Sequence, residues 1–382
     1  MVLTTPELVE AEAVEMFGEV DVALELQHWM LARWVVRGEE GSEAQAGHSD
    51  DGREPPKSVS HRTDRSAMLL TMQQEVDGDA GFVLRAATEH DAPALFDVRT
   101  AQDTAWWGTS DGDLGDTVAE LDRVRHAVGS LEAGTRVAVV HHPGSPDGSV
   151  VGVAMLMGHG QTNLAIDPAA PAAERARRSL VAWLVEAGGT QIDVPAQDGE
   201  GLALLAEFGL VPTRSSFELE RPAVVDDLGP TLWPTGIAPA PFRVGRDDEE
   251  VHRMIYSVWT DVAGHTARPL DEWQALLLHD SSFRAGLAVV ARRDDGTGPV
   301  AGVAMCRTFS GGIGWVHQLA VGRPDRGVGL GRALLVESFH RLAATGVHTL
   351  GLGVEAENAT ALGLYRSVGL EVAREWVHCS TG

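Results

Sequence analysis

One stretch of this 382-residue chain has the residue types and spacing to hold a phosphorylated ligand: Leu319-Ala320-Val321-Gly322-Arg323-Pro324-Asp325-Arg326-Gly327-Val328-Gly329-Leu330-Gly331-Arg332. An apolar strand runs into glycines 327, 329 and 331, and an amphipathic helix starts at once. Glycine lets the backbone adopt positive φ and come within hydrogen-bond distance of a ligand. A helix N-terminus offers free N–H groups and about half a positive charge. Together they suit a pyrophosphate, to which Arg326 and Arg332 can add charge-assisted bonds. Two other phosphate loops fit less well. A P-loop needs Gly-Lys followed by Ser or Thr, where Arg332-Ala333 stands here, and the dinucleotide pattern G-x-G-x-x-G fails at its third glycine. On this stretch alone, a strand-to-helix turn without a ligand is the alternative.

Downstream comes Val354-Glu355-Ala356-Glu357-Asn358-Ala359-Thr360-Ala361-Leu362-Gly363-Leu364-Tyr365-Arg366-Ser367-Val368-Gly369-Leu370. Taken with Leu319-Ala320-Val321 and the spacing of Arg326, Gly329 and Gly331, it resembles the GNAT superfamily of acyl-CoA-dependent N-acetyltransferases. The resemblance covers about 241–382 and extends in weaker form over about 82–221. The tandem arrangement and the strand ending Val-Glu-Ala-Glu-Asn are most similar to mycothiol synthases and their relatives. The resemblance implies acetyl-CoA as co-substrate and no metal. The N–H groups of Gly327, Val328, Gly329, Leu330, Gly331 and Arg332 would hold the CoA pyrophosphate. The backbone of Leu319 and Val321, either side of Ala320, would pair with the pantetheine arm as another strand does, and Asn358 would help to hold the cofactor. Tyr365 takes the place of the acid that protonates the departing thiolate, since a phenol with a pKa of about 10 still carries its proton at neutral pH. The alternative for Tyr365 is a helix residue packed on the sheet.

An alkylammonium must lose a proton before its nitrogen attacks a thioester, so a base should flank the opening. Mycothiol synthases resemble one another in having Glu at the start of the corresponding strand, where this chain reads Trp315. His317 lies two residues on and shares the face of Trp315, because strand side chains alternate. It is the first candidate, with a satisfied core histidine as its alternative. Glu355 is the second, with a solvated strand end as its alternative.

These residues need a sheet and helices to position them, and the pattern supplies both twice. Val150-Val151-Gly152-Val153-Ala154-Met155 recurs as Val300-Ala301-Gly302-Val303-Ala304-Met305, each after a turn-rich segment (143–148; 294–298) that would join two strands in a hairpin. Phe82 recurs as Phe242, and Glu207-Phe208-Gly209-Leu210 as Ser367-Val368-Gly369-Leu370, both at an offset of 160 residues. In the second unit, strands are expected at Gly286–Ala291, Val300–Cys306, Trp315–Val321 and Thr349–Val354, with helices at about 247–260, 270–279, 331–344 and 359–368. The fold class expected is α/β: two tandem GNAT-like mixed sheets flanked by helices, with a helical N-terminal appendage. The first unit lacks the machinery. Asp167 to Ala176 contains no glycine in place of the cradle, Asp198 stands for Asn358 and Leu205 for Tyr365.

The expected boundaries are a helical appendage and tether over 1–66, a degenerate unit over 67–221, a linker over 222–240 with prolines 222, 230, 234 and 239, and the catalytic unit over 241–382. The appendage carries Ala23, Leu26, Trp29, Met30 and Trp34 at helical spacing, and that stripe would bury on the body or on a second copy in a homodimer. The balance of 30 basic against 55 acidic residues gives a net charge of −25, a poor match to nucleic acid. No run approaches the roughly 18 apolar residues of a membrane span, and no secretory signal opens the chain, so a cytoplasmic protein is expected. Two cysteines, Cys306 and Cys379, exclude a disulfide framework and a four-cysteine zinc site. Three weaker patterns are set aside. Gly108-Thr109-Ser110-Asp111-Gly112 has no strand before it, His141-His142 has no metal-ligating partner, and Asn358-Ala359-Thr360 is a sequon only in secreted proteins. The expected function is transfer of an acetyl group from acetyl-CoA to a small-molecule primary amine in a ternary complex. The alternatives are a mycothiol synthase and a non-catalytic acyl-CoA-binding regulator.

Overall fold

The computed structural model describes residues 81–382 apart from 111, 142–147, 159, 260–266, 279–281, 310 and 382. The appendage and tether expected over 1–66 lie outside the described residues. The first repeat comprises β1 (Gly81–Arg85), α1 (Ala92–Trp107), α2 (Leu114–Val128), β2 (Thr135–His141), β3 (Ser149–Gly158), β4 (Gln161–Ile166), α3 (Ala173–Glu186), β5 (Gln191–Pro195), α4 (Gly199–Glu207) and β6 (Leu210–Pro222). The second comprises β7 (Ile237–Ala240), α5 (Asp248–Trp259), α6 (Leu270–Trp273), β8 (Val289–Arg292), β9 (Val300–Phe309), β10 (Ile313–Val321), α7 (Leu330–Ala343), β11 (Thr349–Glu355), α8 (Ala359–Ser367) and β12 (Glu371–Thr381).

Local chemistry sets these bounds. Asp113 and Asp116 cap α2 reciprocally, each carboxylate accepting the other's backbone N–H at 3.0 and 2.9 Å, and Gly129 closes the helix at φ +86°. The strand expected from Gly286 starts later, at Val289, because Ala285–Leu287 form a 3₁₀ turn closed by the Ala288 N–H. The helix expected over 270–279 makes one α turn and continues as a π-helix from Gln274 to Leu278.

The strands form one mixed sheet in the order β1-β2-β3-β4-β5-β12-β6-β11-β10-β9-β8-β7. Each repeat buries apolar side chains on both faces. In the second, Leu334, Leu335 and Phe339 of α7 and Leu362 of α8 pack on Leu319, Leu350, Leu352 and Val354. On the opposite face Val251 and Ile255 of α5 and Trp273 of α6 pack on Val290, Val303, Met305 and Ala320. The first repeat repeats this with α3 and α4 on one face and α1 and α2 on the other.

The repeats exchange their last strands. β6 leaves the first repeat and pairs antiparallel with β11, from Thr349↔Pro222 to Glu355↔Ser216, while β12 crosses back to pair with β5, from Trp376↔Pro195 to Ser380↔Gln191. β6 and β12 also pair with each other from Glu371↔Glu220 to Thr381↔Leu210, so the two sheets fuse at this seam.

Candidate active site

β10 and β11 run parallel and in register only from Ile313↔Thr349 to Val316↔Leu352, although they continue to Val321 and Glu355. The parting coincides with a β-bulge. Cys306 faces Val316 and Met305 faces Gln318, so His317 is an extra residue on β10. In the first repeat Leu156 faces Thr162 and Met155 faces Asn163, with no residue between them. His317 therefore has no counterpart in the first repeat. Beyond the bulge β10 still pairs with β9 through Val321↔Gly302, which leaves its other edge facing the gap beside β11. Leu319, Ala320 and Val321 line that gap and are buried.

The gap leads to the glycine-rich turn. A 3₁₀ turn at Arg323–Asp325 is held by a two-pronged ion pair from Arg293 to Asp325 at 2.9 and 2.6 Å. Gly327 and Gly329 then take φ +75° and +86°, Gly329 is the left-handed N-cap of α7, and no side chain caps that helix. A Cβ at either glycine meets nothing within 4 Å, so it is backbone conformation that demands glycine here. Leu330 is buried, Gly331 and Arg332 are half-buried, and Val328 is exposed. The Arg326 Nε–H donates to the Val321 carbonyl at 3.3 Å, which ties the turn to the strand end.

Tyr365 on α8 is fully buried in the cluster that contains Leu319, Val321, Leu334 and Val354. Asn358 is the N-cap of α8; its Oδ1 accepts the Ala361 N–H at 3.0 Å, and its buried Nδ2 has no hydrogen-bond partner among the described residues. His317 is buried at 6% exposure. Glu355, at the end of β11, pairs with Arg214 of β6 at 2.7 Å, so an element of the first repeat reaches this site. Trp315 is buried against β11, where a Cβ on Gly351 would come within 2.3 Å of its ring.

The corresponding slot of the first repeat is a cavity lined by Gln102, Ile166, Arg177, Asp198 and Leu205, and its polar groups are engaged with one another. The Ile166 N–H donates to Oε1 of Gln102 from α1 at 2.6 Å, so a side-chain carboxamide takes the backbone group at the end of β4. Arg177 of α3 grips both carboxylate oxygens of Asp198 at 3.0 Å, and Leu205 is buried beneath. Ala172 keeps the left-handed N-cap of α3 at φ +63°. The bulge, Gln102 and Arg214 escape a motif-based reading, because each acts through a partner distant in the chain. Only the bulge leaves a trace, a one-residue jump in the offset between repeats at His317.

A model of the acetyltransferase (GNAT) family matches residues 249–370. A mycothiol acetyltransferase of Clavibacter michiganensis is 32% identical over 262 residues, covering 66% of this chain and 82% of that one. The chain belongs to the GNAT family. It is thus an N-acetyltransferase, of the tandem type similar to mycothiol acetyltransferases. A second such relative, from Kytococcus sedentarius, is 29% identical over 219 residues, covering 57% of this chain and 74% of its own. Among solved structures, a GCN5-related N-acetyltransferase from Sphaerobacter thermophilus shares the fold with TM-score 0.61 at 24% identity, over 78% of this chain and 94% of that one. A tandem GNAT protein from the clavulanic acid biosynthesis pathway shares it with TM-score 0.54 at 16% identity, over 80% and 99%. Among the described residues no three His, Cys, Asp or Glu side chains are grouped to hold a metal, and no helix is long and apolar enough to cross a membrane.

Proposed function

We propose that the second repeat of this GNAT enzyme transfers an acetyl group from acetyl-CoA to a primary amine by direct attack. The observation that carries this reading is the asymmetry between the repeats. β4 and β5 of the first repeat part as well, after Gln161↔Gln191, but only the second combines a bulge on the inner strand, two left-handed glycines before a long helix and a tyrosine on the helix that follows. The N–H groups of Gly327 to Arg332 bind the pyrophosphate, and the free edge of β10 at Leu319 and Val321 takes the pantetheine amides. Asn358, with Nδ2 to spare, is a donor to the cofactor. The amine nitrogen bonds to the thioester carbon, the carbon–sulfur bond breaks, and Tyr365 gives its proton to the leaving sulfur. His317 and Glu355 flank the gap from opposite sides and are the two candidate acceptors of the ammonium proton.

A covalent acetyl-cysteine is disfavoured. Burial pushes the Cys306 thiol up to about 12 and the Cys379 thiol up to about 11, so neither supplies a thiolate at neutral pH. The relatives' names favour a second reading, acetylation of the mycothiol precursor, against which stands Trp315 in place of the glutamate. Steady-state turnover of acetyl-CoA over a panel of amines that includes this precursor tests both. Release of CoA with at least one amine is the expected result, and acetyl-CoA binding without turnover on any of them would favour a regulatory binding protein.

A further inference from the structure

Ser216, His378 and Asp193 stand on the neighbouring strands β6, β12 and β5, and acetyl transfer as described above uses none of them. The Ser216 Oγ lies 2.7 Å from His378 Nε2, and His378 Nδ1 lies 2.8 Å from Asp193 Oδ1. Asp193 Oδ1 also accepts the Gln191 Nε2–H at 3.0 Å. Asp193 meets Nδ1 as a charge contact outside hydrogen-bond geometry, and with the hydrogen placed on Nδ1 the Nε2 atom accepts from the serine hydroxyl. The order is that of a nucleophile, base and orienting acid. Ser216 is nonetheless fully buried, and no acyl donor can reach its oxygen.

The row does not stop at Ser216. In the β6–β11 register Ser216 lies directly opposite Glu355, and such same-face neighbours have Cβ atoms about 4.5–5.5 Å apart. Glu355 ends the strand that parts from β10. Glu355 is thus the cross-strand neighbour of Ser216, and Ser216, His378 and Asp193 continue the row away from the gap. The row exists only because the last strands are exchanged: Glu355 and His378 come from the second repeat, Ser216 and Asp193 from the first.

We propose that this row is a proton relay for acetyl transfer, carrying the proton lost by the acceptor's ammonium from Glu355 through the Ser216 hydroxyl to His378. The relay rests on the acetyl-transfer reading above. The ammonium N–H proton passes to a Glu355 oxygen. The Ser216 oxygen takes it and gives its own hydrogen to Nε2. His378 becomes an imidazolium balanced by Asp193, and the row resets when the proton returns to water after the products leave. The charged groups around His378 are Asp193 on β5, Arg214 opposite it on β6, Glu355 beyond on β11, and Glu218 paired with Arg374 along the same seam. Ser216, His378 and Asp193 are positioning residues, because they act through Glu355.

The test is the pH profile of kcat/KM for the acceptor in wild type, Ser216→Ala, His378→Gln and His317→Gln, with calorimetric acetyl-CoA affinity and circular dichroism alongside. Ser216→Ala and His378→Gln are expected to lose about 10²-fold in kcat/KM and the acid limb of the profile, with acetyl-CoA affinity unchanged. His317→Gln is expected to keep that limb. If Ser216→Ala folds and keeps the wild-type limb, or if the limb disappears only in His317→Gln, the relay is wrong. Ser216→Ala decides alone should His378→Gln fail to fold. No turnover by wild type with any amine would overturn the acetyl-transfer reading and the relay with it, whereas turnover with an unaltered limb would overturn the relay alone.

Discussion

Tyr365 has two roles to satisfy, because its ring completes an apolar cluster with Leu319, Val321 and Val354 while its hydroxyl is assigned the proton for the leaving sulfur. Tyr365→Phe keeps the ring and removes only the hydroxyl. It should lower kcat by about 10²-fold with acetyl-CoA affinity little changed, which steady-state kinetics and calorimetry would report. Gly329 separates conformation from crowding. At φ +86° with open space around the missing Cβ, Gly329→Val is strained by its backbone and sets a branched side chain where the pyrophosphate should lie. It should leave the fold cooperative in thermal melts and abolish acetyl-CoA binding. Both residues are legible in the sequence, since a glycine run between an apolar strand and an amphipathic helix has few other uses. Gln102 is not, because nothing near it in the chain indicates that its carboxamide will meet the Ile166 N–H 64 residues away.

At the scale of elements, the bulge in β10 distinguishes the repeat to which catalysis is assigned from the other. β4 shows that the strand is stable without the extra residue, with Leu156 facing Thr162 and Met155 facing Asn163. Deleting His317 should therefore give a folded protein whose β10 has the plain register of β4. Strand register is set by which face is buried, and the Met305↔Gln318 and Cys306↔Val316 pairs already place their side chains correctly. Turnover should fall by about 10²-fold, since a residue beside the gap is lost and the side chains of β10 that precede it are displaced relative to β11. Full activity in the deletion variant would show the bulge to be incidental. Most element positions were legible, because the apolar runs of β9 and β10 and the stripe of α7 have clear periods. The late start of β8 was not, since Gly286 and Leu287 continue the apolar composition while the Ala288 N–H closes a turn onto Ala285.

In the whole molecule, the duplication is plain in the sequence and the strand exchange is not. Val150–Met155 and Val300–Met305 announce two copies, yet which copy receives β6 or β12 depends on pairing between strands such as Ser216 and Trp376, 160 residues apart. A consequence is that neither repeat completes its own sheet. Ending the chain after Leu370 removes β12, exposes the flank of β5 and takes away the Glu218–Arg374 pair, so the truncated protein should lose cooperative unfolding as a whole. A sharp, wild-type-like melt of residues 1–370 would mean that the seam is dispensable. The central claim is that one repeat alone binds and uses acetyl-CoA, and calorimetric titration of acetyl-CoA into the full chain tests it most directly. One site per chain, lost in Gly329→Val, is the result expected when the polar groups of Gln102, Arg177 and Asp198 are already engaged in the first repeat. Two equivalent sites, or an unchanged single site in Gly329→Val, would contradict it.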